Sequence, residues 1–252
     1  MSVRIGLLVF ALALAGCDGR DNTNSTEGDG RRPESAISVL VDLSETWHNP
    51  ISRALNQRLF GNVGTAIARS AYDLPLPLSV RYHIIGSGSL GRQAPCAADF
   101  APSTFSIGET PPGTIRDRDQ FRRYIAVDCP ELLLAQPAEP ATEISAAIVS
   151  AHRAAALLAP SAPRTFILLS DFKEEAAAMP ALGALDLRGI RFLLVYRTLP
   201  EDRQQPDAQD ARLAIWQRRL EASGAAVILV DENAVLSSFT DFQALIGRNH
   251  AR

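Results

Sequence analysis

Apolar segments recur along the chain and are separated by amphipathic segments. The runs 36–43, 164–171, 189–198 and 225–230 are almost continuously apolar and rich in β-branched residues. Such runs are expected for strands that are buried on both faces of a sheet. The segment 76–85 alternates more, which predicts a strand with one wetter face. These five segments are therefore predicted to be strands.

Amphipathic helices are predicted between these strands. Asn49-Pro50 offers a helix cap and a first-turn proline, and apolar residues then recur at spacing four over 51–67. Further helices are predicted over 142–159, over 207–222 and around 239–246. Strands that alternate with helices predict an α/β fold of three layers, with a mainly parallel central sheet and helices on both faces.

The middle of the chain is less regular. Residues 86–120 are rich in Gly, Pro and Ser without a clear period, and we expect a long irregular insertion there. The segment 122–127 is interpreted as a short strand. Cys96 and Cys129 flank much of this region, and an even number of cysteines in an exported protein favours a disulfide. Two separate buried thiols are the alternative.

The N-terminus predicts export and lipidation. Residues 1–16 have a short positive start and an apolar stretch too short to span a bilayer, as in a secretory signal peptide. They lead into Leu14-Ala15-Gly16-Cys17, which resembles the bacterial lipobox. We expect Cys17 to carry acyl chains that anchor the protein on the periplasmic side of a membrane. Asp18 slightly favours the inner membrane. An ordinary signal peptide with a chance cysteine is the alternative.

Composition and charge limit the remaining possibilities. Residues 17–35 contain no aliphatic or aromatic side chain after the cysteine and are interpreted as a flexible tether, so the folded domain should cover 36–252. The chain is 46% hydrophobic and 21% charged, which excludes disorder along its full length. A formal net charge of -3 argues against a nucleic-acid binder.

Hydroxyl and carboxyl side chains follow two of the predicted strands. The first strand ends in Asp42-Leu43-Ser44-Glu45-Thr46, a D-x-S-x-T loop, and a later one ends in Ser170-Asp171. Thr142 opens the helix between them. Oxygen donors of this kind suit a hard dication such as Mg²⁺ or Mn²⁺, and no Cys or His pattern selects zinc or copper.

These three elements, in this order, resemble the metal-ion-dependent adhesion site of the von Willebrand factor A-type domain family. The resemblance implies that Ser44, Thr46 and Thr142 contact the metal, and that Asp42 and Asp171 act directly or through water. It also implies a binding domain rather than an enzyme. Its protein partner would complete the metal coordination with a carboxylate.

The chain departs from the family pattern in two places. Glu139-Pro140-Ala141 stands where the family often has glycines, and Phe172 follows the late aspartate where the family often has glycine. A second hypothesis follows from these departures. The same fold would lack a working metal site and would serve as a structural component of an envelope complex.

The same residues allow other interpretations. Asp42, Ser44 and Thr46 could simply cap a helix. The D-x-S-x-T loop also resembles the motif of haloacid dehalogenase-type phosphatases, with Lys173 as the neutralising lysine, but Ser44 replaces their general acid. Residues 86–91 fit G-x-G-x-x-G, yet no helical pattern follows, which favours a mobile loop over a dinucleotide site.

Overall fold

Seven strands form one sheet in the order β4-β3-β2-β1-β5-β6-β7. The computed structural model describes residues 33–45, 47, 50–102, 114–156, 162–174 and 182–247. The predicted signal peptide, the lipid anchor on Cys17 and nearly all of the tether lie outside these residues, as does Thr46. The strands are β1 (Ser35–Asp42), β2 (Leu78–Ile85), β3 (Cys96–Phe100), β4 (Thr114–Ile115), β5 (Arg164–Ser170), β6 (Ile190–Tyr196) and β7 (Ala226–Asp231).

The central strands are parallel, and β3 runs antiparallel to β2. Helices cover both faces of this sheet. They are α1 (Pro50–Ser70), α2 (Arg118–Arg123), α3 (Cys129–Leu134), α4 (Ile144–Ala155), α5 (Pro200–Gln204), α6 (Pro206–Ala222), α7 (Glu232–Ser237) and α8 (Phe239–Gly247). The predicted three-layer α/β fold is confirmed.

Strand β1 lies at the centre of both hydrophobic layers. Val39 and Val41 belong to the cluster that packs against α1 and α8, whereas Leu40 belongs to the cluster that packs against α4 and α6. Successive side chains of a strand point to opposite faces of the sheet, so each face must be apolar when helices cover both. This is why the strand appears in the sequence as a continuous apolar run.

The prediction of a strand over 122–127 is wrong. These residues lie in a continuous helical stretch in which α2 passes through a π-helical turn (Tyr124–Asp128) into α3. Phe121, Ile125 and Leu133 are fully buried against the α1 side of the sheet. Together with the buried Cys129, these residues recur at spacing four, which is helical. Burial of this face outweighed the strand preference of the short aromatic and β-branched run.

Gly64 explains how this helical stretch approaches α1 so closely. A Cβ atom at this position would lie 2.3 Å from the backbone oxygen of Ile125. The glycine therefore serves interhelical packing and does not interrupt α1, which is continuous from Pro50 to Ser70.

The expectation of an irregular insertion over 86–120 is wrong in part. The segment contributes β3 and β4, which extend one edge of the sheet, and a short 3₁₀ turn over Ser89–Gly91. The predicted disulfide is confirmed, because Cys96 is bonded to Cys129 with a Cα–Cα distance of 5.7 Å. It ties β3 to the start of α3. Strand β3 is only five residues long, and its pairing with β2 decides its structure more than its own sequence does.

Candidate functional site

The candidate residues lie beside β1, where the strand order of the sheet reverses. From β1 the chain continues to β2 on one side, whereas β5 lies on the other side of β1. In open α/β sheets, ligands bind outside the carboxyl ends of strands at such a point. Val41 of β1 pairs with Leu169 of β5. The next residues, Asp42 and Ser170, therefore lie side by side at the carboxyl ends of these two strands.

Asp42 is the most buried charged group at this edge. Its side chain is 0% exposed. Its Oδ1 accepts a hydrogen bond from the Ser44 amide at 2.9 Å, and its Oδ2 accepts one from the Ser170 hydroxyl at 2.7 Å. Burial raises the pKa of Asp42 to about 6, even though these hydrogen bonds oppose the increase, and the nearby Asp171 raises it further.

Asp171 places a second carboxylate at the same edge. Its Oδ1 accepts a hydrogen bond from the Lys173 amide at 2.9 Å. Burial raises the pKa of Asp171, although the Lys173 amide and the charges of Lys173 and Arg212 act in the opposite direction. Arg212 is held in place by the Asp171 backbone oxygen at 2.9 Å and by Asp202 at 2.9 Å.

Phe172 has the backbone conformation of a glycine. Its φ is 61°, in the left-handed region that L-residues with a bulky side chain rarely adopt. Its ring is buried against Trp216, and the Trp216 indole donates to the Phe172 backbone oxygen at 3.0 Å. The Phe172 amide also donates to the Ser170 hydroxyl at 2.9 Å. The residue type thus departs from the family pattern, while the backbone has a conformation that glycine favours.

The loop that carries Thr142 is joined to the D-x-S-x-T loop. The Glu139 amide donates to the Leu43 backbone oxygen at 2.9 Å, and Glu139 forms an isolated parallel β-bridge with Ser44. Thr142 is 3% exposed and lies just before α4, which begins at Ile144 instead of at Thr142. The structure therefore brings the loops of Asp42, Ser44, Thr142 and Asp171 to one edge.

This donor set fits a hard cation. Carboxylate and hydroxyl oxygens are the ligands that Mg²⁺ prefers, and two carboxylates supply the negative charge. In the described part of the chain, no group of three or more His, Cys, Asp or Glu side chains could hold a metal ion. A cation at this edge would consequently depend on the hydroxyls of Ser44 and Thr142 as well as on Asp42 and Asp171. The fifth predicted ligand, Thr46, lies outside the described residues.

Two acidic residues near the site were missed by sequence reasoning. Glu174 accepts a hydrogen bond from the Ser145 amide at 2.7 Å and so caps the start of α4 behind Thr142. Glu139 occupies a family glycine position, and its side chain is 8% exposed. Its partners lie far away along the chain, so only the departure from glycine could have drawn attention to it.

A buried ion pair lies beside the site. Arg197 follows β6, pairs with Glu232 at 2.7 Å and donates to Asn56 at 2.8 Å. Its guanidinium lies 4.0 Å from the ring centroid of Trp47, which is fully buried. Asn56 of α1 also donates to the Trp47 backbone oxygen, so these contacts hold Trp47 against α1.

Comparison with known proteins gives similarity at the level of the fold. The structure is similar to a von Willebrand factor type A protein from Catenulispora acidiphila (TM-score 0.43, 15% identity, 84% of this chain and 42% of the other). It is also similar to proximal thread matrix protein 1 from the mussel byssus (TM-score 0.49, 11% identity, 86% of this chain and 48% of the other). A third is the ArnB paralog VWA2 from Sulfolobus acidocaldarius (TM-score 0.38, 12% identity, 82% of this chain and 44% of the other).

The chain thus spans less than half the length of each of these three structures. No family model matches the sequence, and no curated protein matches it. Among the described residues, no helix has the length and apolar character needed to cross a membrane.

Proposed function

We propose that this chain is a lipid-anchored, von Willebrand factor A-like domain that binds a protein partner on the periplasmic side of a membrane. A divalent cation, Mg²⁺ or Mn²⁺, would take part in that binding. The proposed ligands are Asp42, Ser44, Thr46, Thr142 and Asp171.

One observation carries the proposal. Asp42 is fully buried at the end of β1, and the Ser170 hydroxyl at the end of β5 donates to its Oδ2 at 2.7 Å. The hydrogen bonds orient this carboxylate but do not offset its burial, since its pKa is raised to about 6. A cation at this edge would supply the missing compensation, because opposite charge favours the ionised carboxylate.

The chemistry of the site supports a bridging role for the cation. Hydroxyl ligands carry no charge, so a dication held by two carboxylates and several hydroxyls stays attractive to a further anion. A carboxylate from a partner protein has the hardness and charge to fill such a position. The affinity of the partner would then depend on the cation.

The metal-free alternative also has an observation in its favour. Lys173 and Arg212 lie close enough to Asp171 to lower its pKa, and they offset part of the charge that a dication would neutralise. Under this alternative the domain would be a structural component of an envelope complex. A phosphohydrolase is less well supported, because Ser44 stands in place of the general acid.

A melting experiment tests the cation. Protein lacking the N-terminal seventeen residues is melted in EDTA and then with Mg²⁺ or Mn²⁺, beside Asp42→Ala and Thr142→Ala. A cation at about 100 times its dissociation constant should stabilise the wild type by about 2.7 kcal/mol, and both variants should lose this gain.

Asp186→Asn is the matched control. This carboxylate is exposed and lies before β6, at the opposite edge of the sheet. The control should retain the full response to metal. An unchanged melting curve of the wild type at tens of millimolar metal would favour the metal-free alternative.

The anchor is tested separately. The full chain should incorporate labelled fatty acid and sediment with membranes, and Cys17→Ser should abolish the label. A label retained by Cys17→Ser would contradict lipidation at this cysteine.

A further inference from the structure

Glu139 ties together three loops at the carboxyl edge of the sheet. Its backbone pairs with the loop after β1, through Leu43 and Ser44. Its side chain reaches the loop after β2, where Oε2 accepts a hydrogen bond from the Ser87 amide at 3.2 Å and Oε1 accepts one from Arg92. Glu139 itself belongs to the third loop, which continues to Thr142.

Gly86 leaves the space that the Glu139 side chain occupies. A Cβ atom at position 86 would lie 2.3 Å from Cγ and 2.6 Å from Cδ of Glu139. With the Glu139 side chain in this position, residue 86 has no room for a Cβ atom. Gly86 follows β2 directly, and the last β2 residue, Ile85, pairs with Asp42 in the sheet.

Both oxygens of the Glu139 carboxylate accept hydrogen bonds in these contacts. One of its oxygens faces the cation of Arg92 and the other a backbone amide, and the side chain is 8% exposed. A second carboxylate of the same loop strengthens the attachment, since Glu143 Oε2 accepts from the Gly88 amide at 3.0 Å. The glycine-containing loop after β2 is thus bound to the Thr142 loop through Ser87, Gly88 and Arg92.

We infer that Glu139 is a positioning residue, which holds the Thr142 loop against the D-x-S-x-T loop through Arg92, Ser87 and the cleft over Gly86. This inference rests on the proposed cation site. The Glu139 carboxylate would act on the cation only through the placement of Thr142 and Ser44. Residues that orient metal ligands in this way typically change metal affinity by about tenfold to a hundredfold when they are replaced.

The test compares Gly86→Ala, Glu139→Gln and Gly91→Ala. Gly86→Ala keeps the carboxylate but fills the space that its side chain needs. Glu139→Gln keeps an acceptor for the Ser87 amide and removes the charge that faces Arg92. Gly91→Ala is the matched control in the same loop, because no atom lies within 4 Å of a Cβ there.

Two readouts are made at a temperature at which all variants are folded. The first is the affinity for Mn²⁺, from the paramagnetic resonance signal of the free ion. Gly86→Ala and Glu139→Gln should weaken it by about tenfold to a hundredfold, and Gly91→Ala should leave it unchanged. A purely structural role would lower the melting temperature in EDTA without this selective loss. Wild-type affinity in both variants would overturn the inference.

The second readout needs no metal. Hydrogen exchange of the amides of residue 139, Ala141, Thr142 and Glu143 should be faster in Gly86→Ala and Glu139→Gln than in Gly91→Ala. If the wild type binds no Mn²⁺, the proposed cation site fails, and the exchange rates alone decide whether Glu139 positions the loop. Equal exchange in all three variants would overturn the positioning role.

Discussion

The hydroxyl of Ser170 donates a hydrogen bond of 2.7 Å to the buried carboxylate of Asp42, across a separation of 128 residues in the chain. This contact joins the carboxyl ends of β1 and β5. Both neighbouring strands are parallel and in register, so their last residues must meet. The candidate site is therefore a consequence of the sheet order.

The buried Asp42 predicts a stability that depends on pH in the absence of metal. Its pKa is raised from 3.8 to about 6 in the folded protein, which corresponds to about 3 kcal/mol. The folded state binds this proton more tightly than the unfolded state. The protonated Asp42 therefore contributes its full stabilisation to the free energy of unfolding below about pH 4. This stabilisation is lost as the pH rises through about 6.

Denaturant unfolding in EDTA at pH 4 to 8 measures this effect, with Asp42→Asn as the comparison. The free energy of unfolding of the wild type should fall relative to that of Asp42→Asn as the pH rises. Asp42→Asn should itself show a smaller dependence on pH. A difference between the two proteins that stays constant over this range would contradict the burial of an ionisable carboxyl group.

Phe172 predicts an unusual order of two substitutions. Phe172→Ala and Phe172→Gly should both destabilise the protein by about 3–5 kcal/mol, because they remove a buried ring. Phe172→Gly should be the more stable of the two by about 1–2 kcal/mol, since glycine carries no penalty at positive φ.

Ile148 in the middle of α4 is the control for this comparison. There Ile148→Gly should be less stable than Ile148→Ala by about 1 kcal/mol. Equilibrium unfolding of the four variants decides the point. If Phe172→Ala were as stable as Phe172→Gly or more so, position 172 would not require the left-handed conformation.

The ion pair of Arg197 and Glu232 predicts a large loss of stability from a small change. Both side chains are buried, at 6% and 8% exposure. Glu232→Gln leaves the guanidinium without its counter-ion and should cost about 3–5 kcal/mol. The exposed pair of Lys173 and Glu201 is the control, and Glu201→Gln should cost less than about 1 kcal/mol. Similar costs for the two substitutions would show that the buried pair is not what stabilises this region.

The disulfide predicts a stability difference that reduction removes. It closes a loop with a sequence separation of 33 residues, which is worth about 3–4 kcal/mol in the chain-entropy model. Cys96→Ala with Cys129→Ala should lower the free energy of unfolding by this amount. Addition of dithiothreitol should affect the wild type and leave the double variant unchanged. Equal stability of the two proteins without reductant would contradict the prediction.

The sequence alone predicted β1, β2, β5, β6 and β7 because their signal is local, but it did not predict β3 and β4. A strand covered on both faces must be apolar along its length, and β1, β5 and β6 are. The same local logic failed for 122–127, where the run is too short to separate a strand from a helix. Only the burial of Phe121, Ile125 and Leu133 on one face distinguishes the two.

Some features of the candidate site could likewise be predicted from the sequence, and others could not. The D-x-S-x-T spacing, Thr142 and the Ser170-Asp171 pair could be selected from residue type and order, because these residues end or precede regular elements. Their meeting at one edge followed from the prediction of a parallel sheet. The left-handed conformation of Phe172 could not be predicted, since it depends on packing against Trp216 from α6.

The sequence by itself determined the α/β class, the order of the main elements and the residue types of the site, and it favoured a disulfide between Cys96 and Cys129. The tertiary structure decided which side chains support that site. Glu139 accepts a hydrogen bond from the Ser87 amide, 52 residues away in the chain, and Glu174 accepts one from the Ser145 amide, 29 residues away. Such contacts leave no periodic trace in the sequence, because a hydrogen bond between distant loops depends on where the sheet brings their ends together.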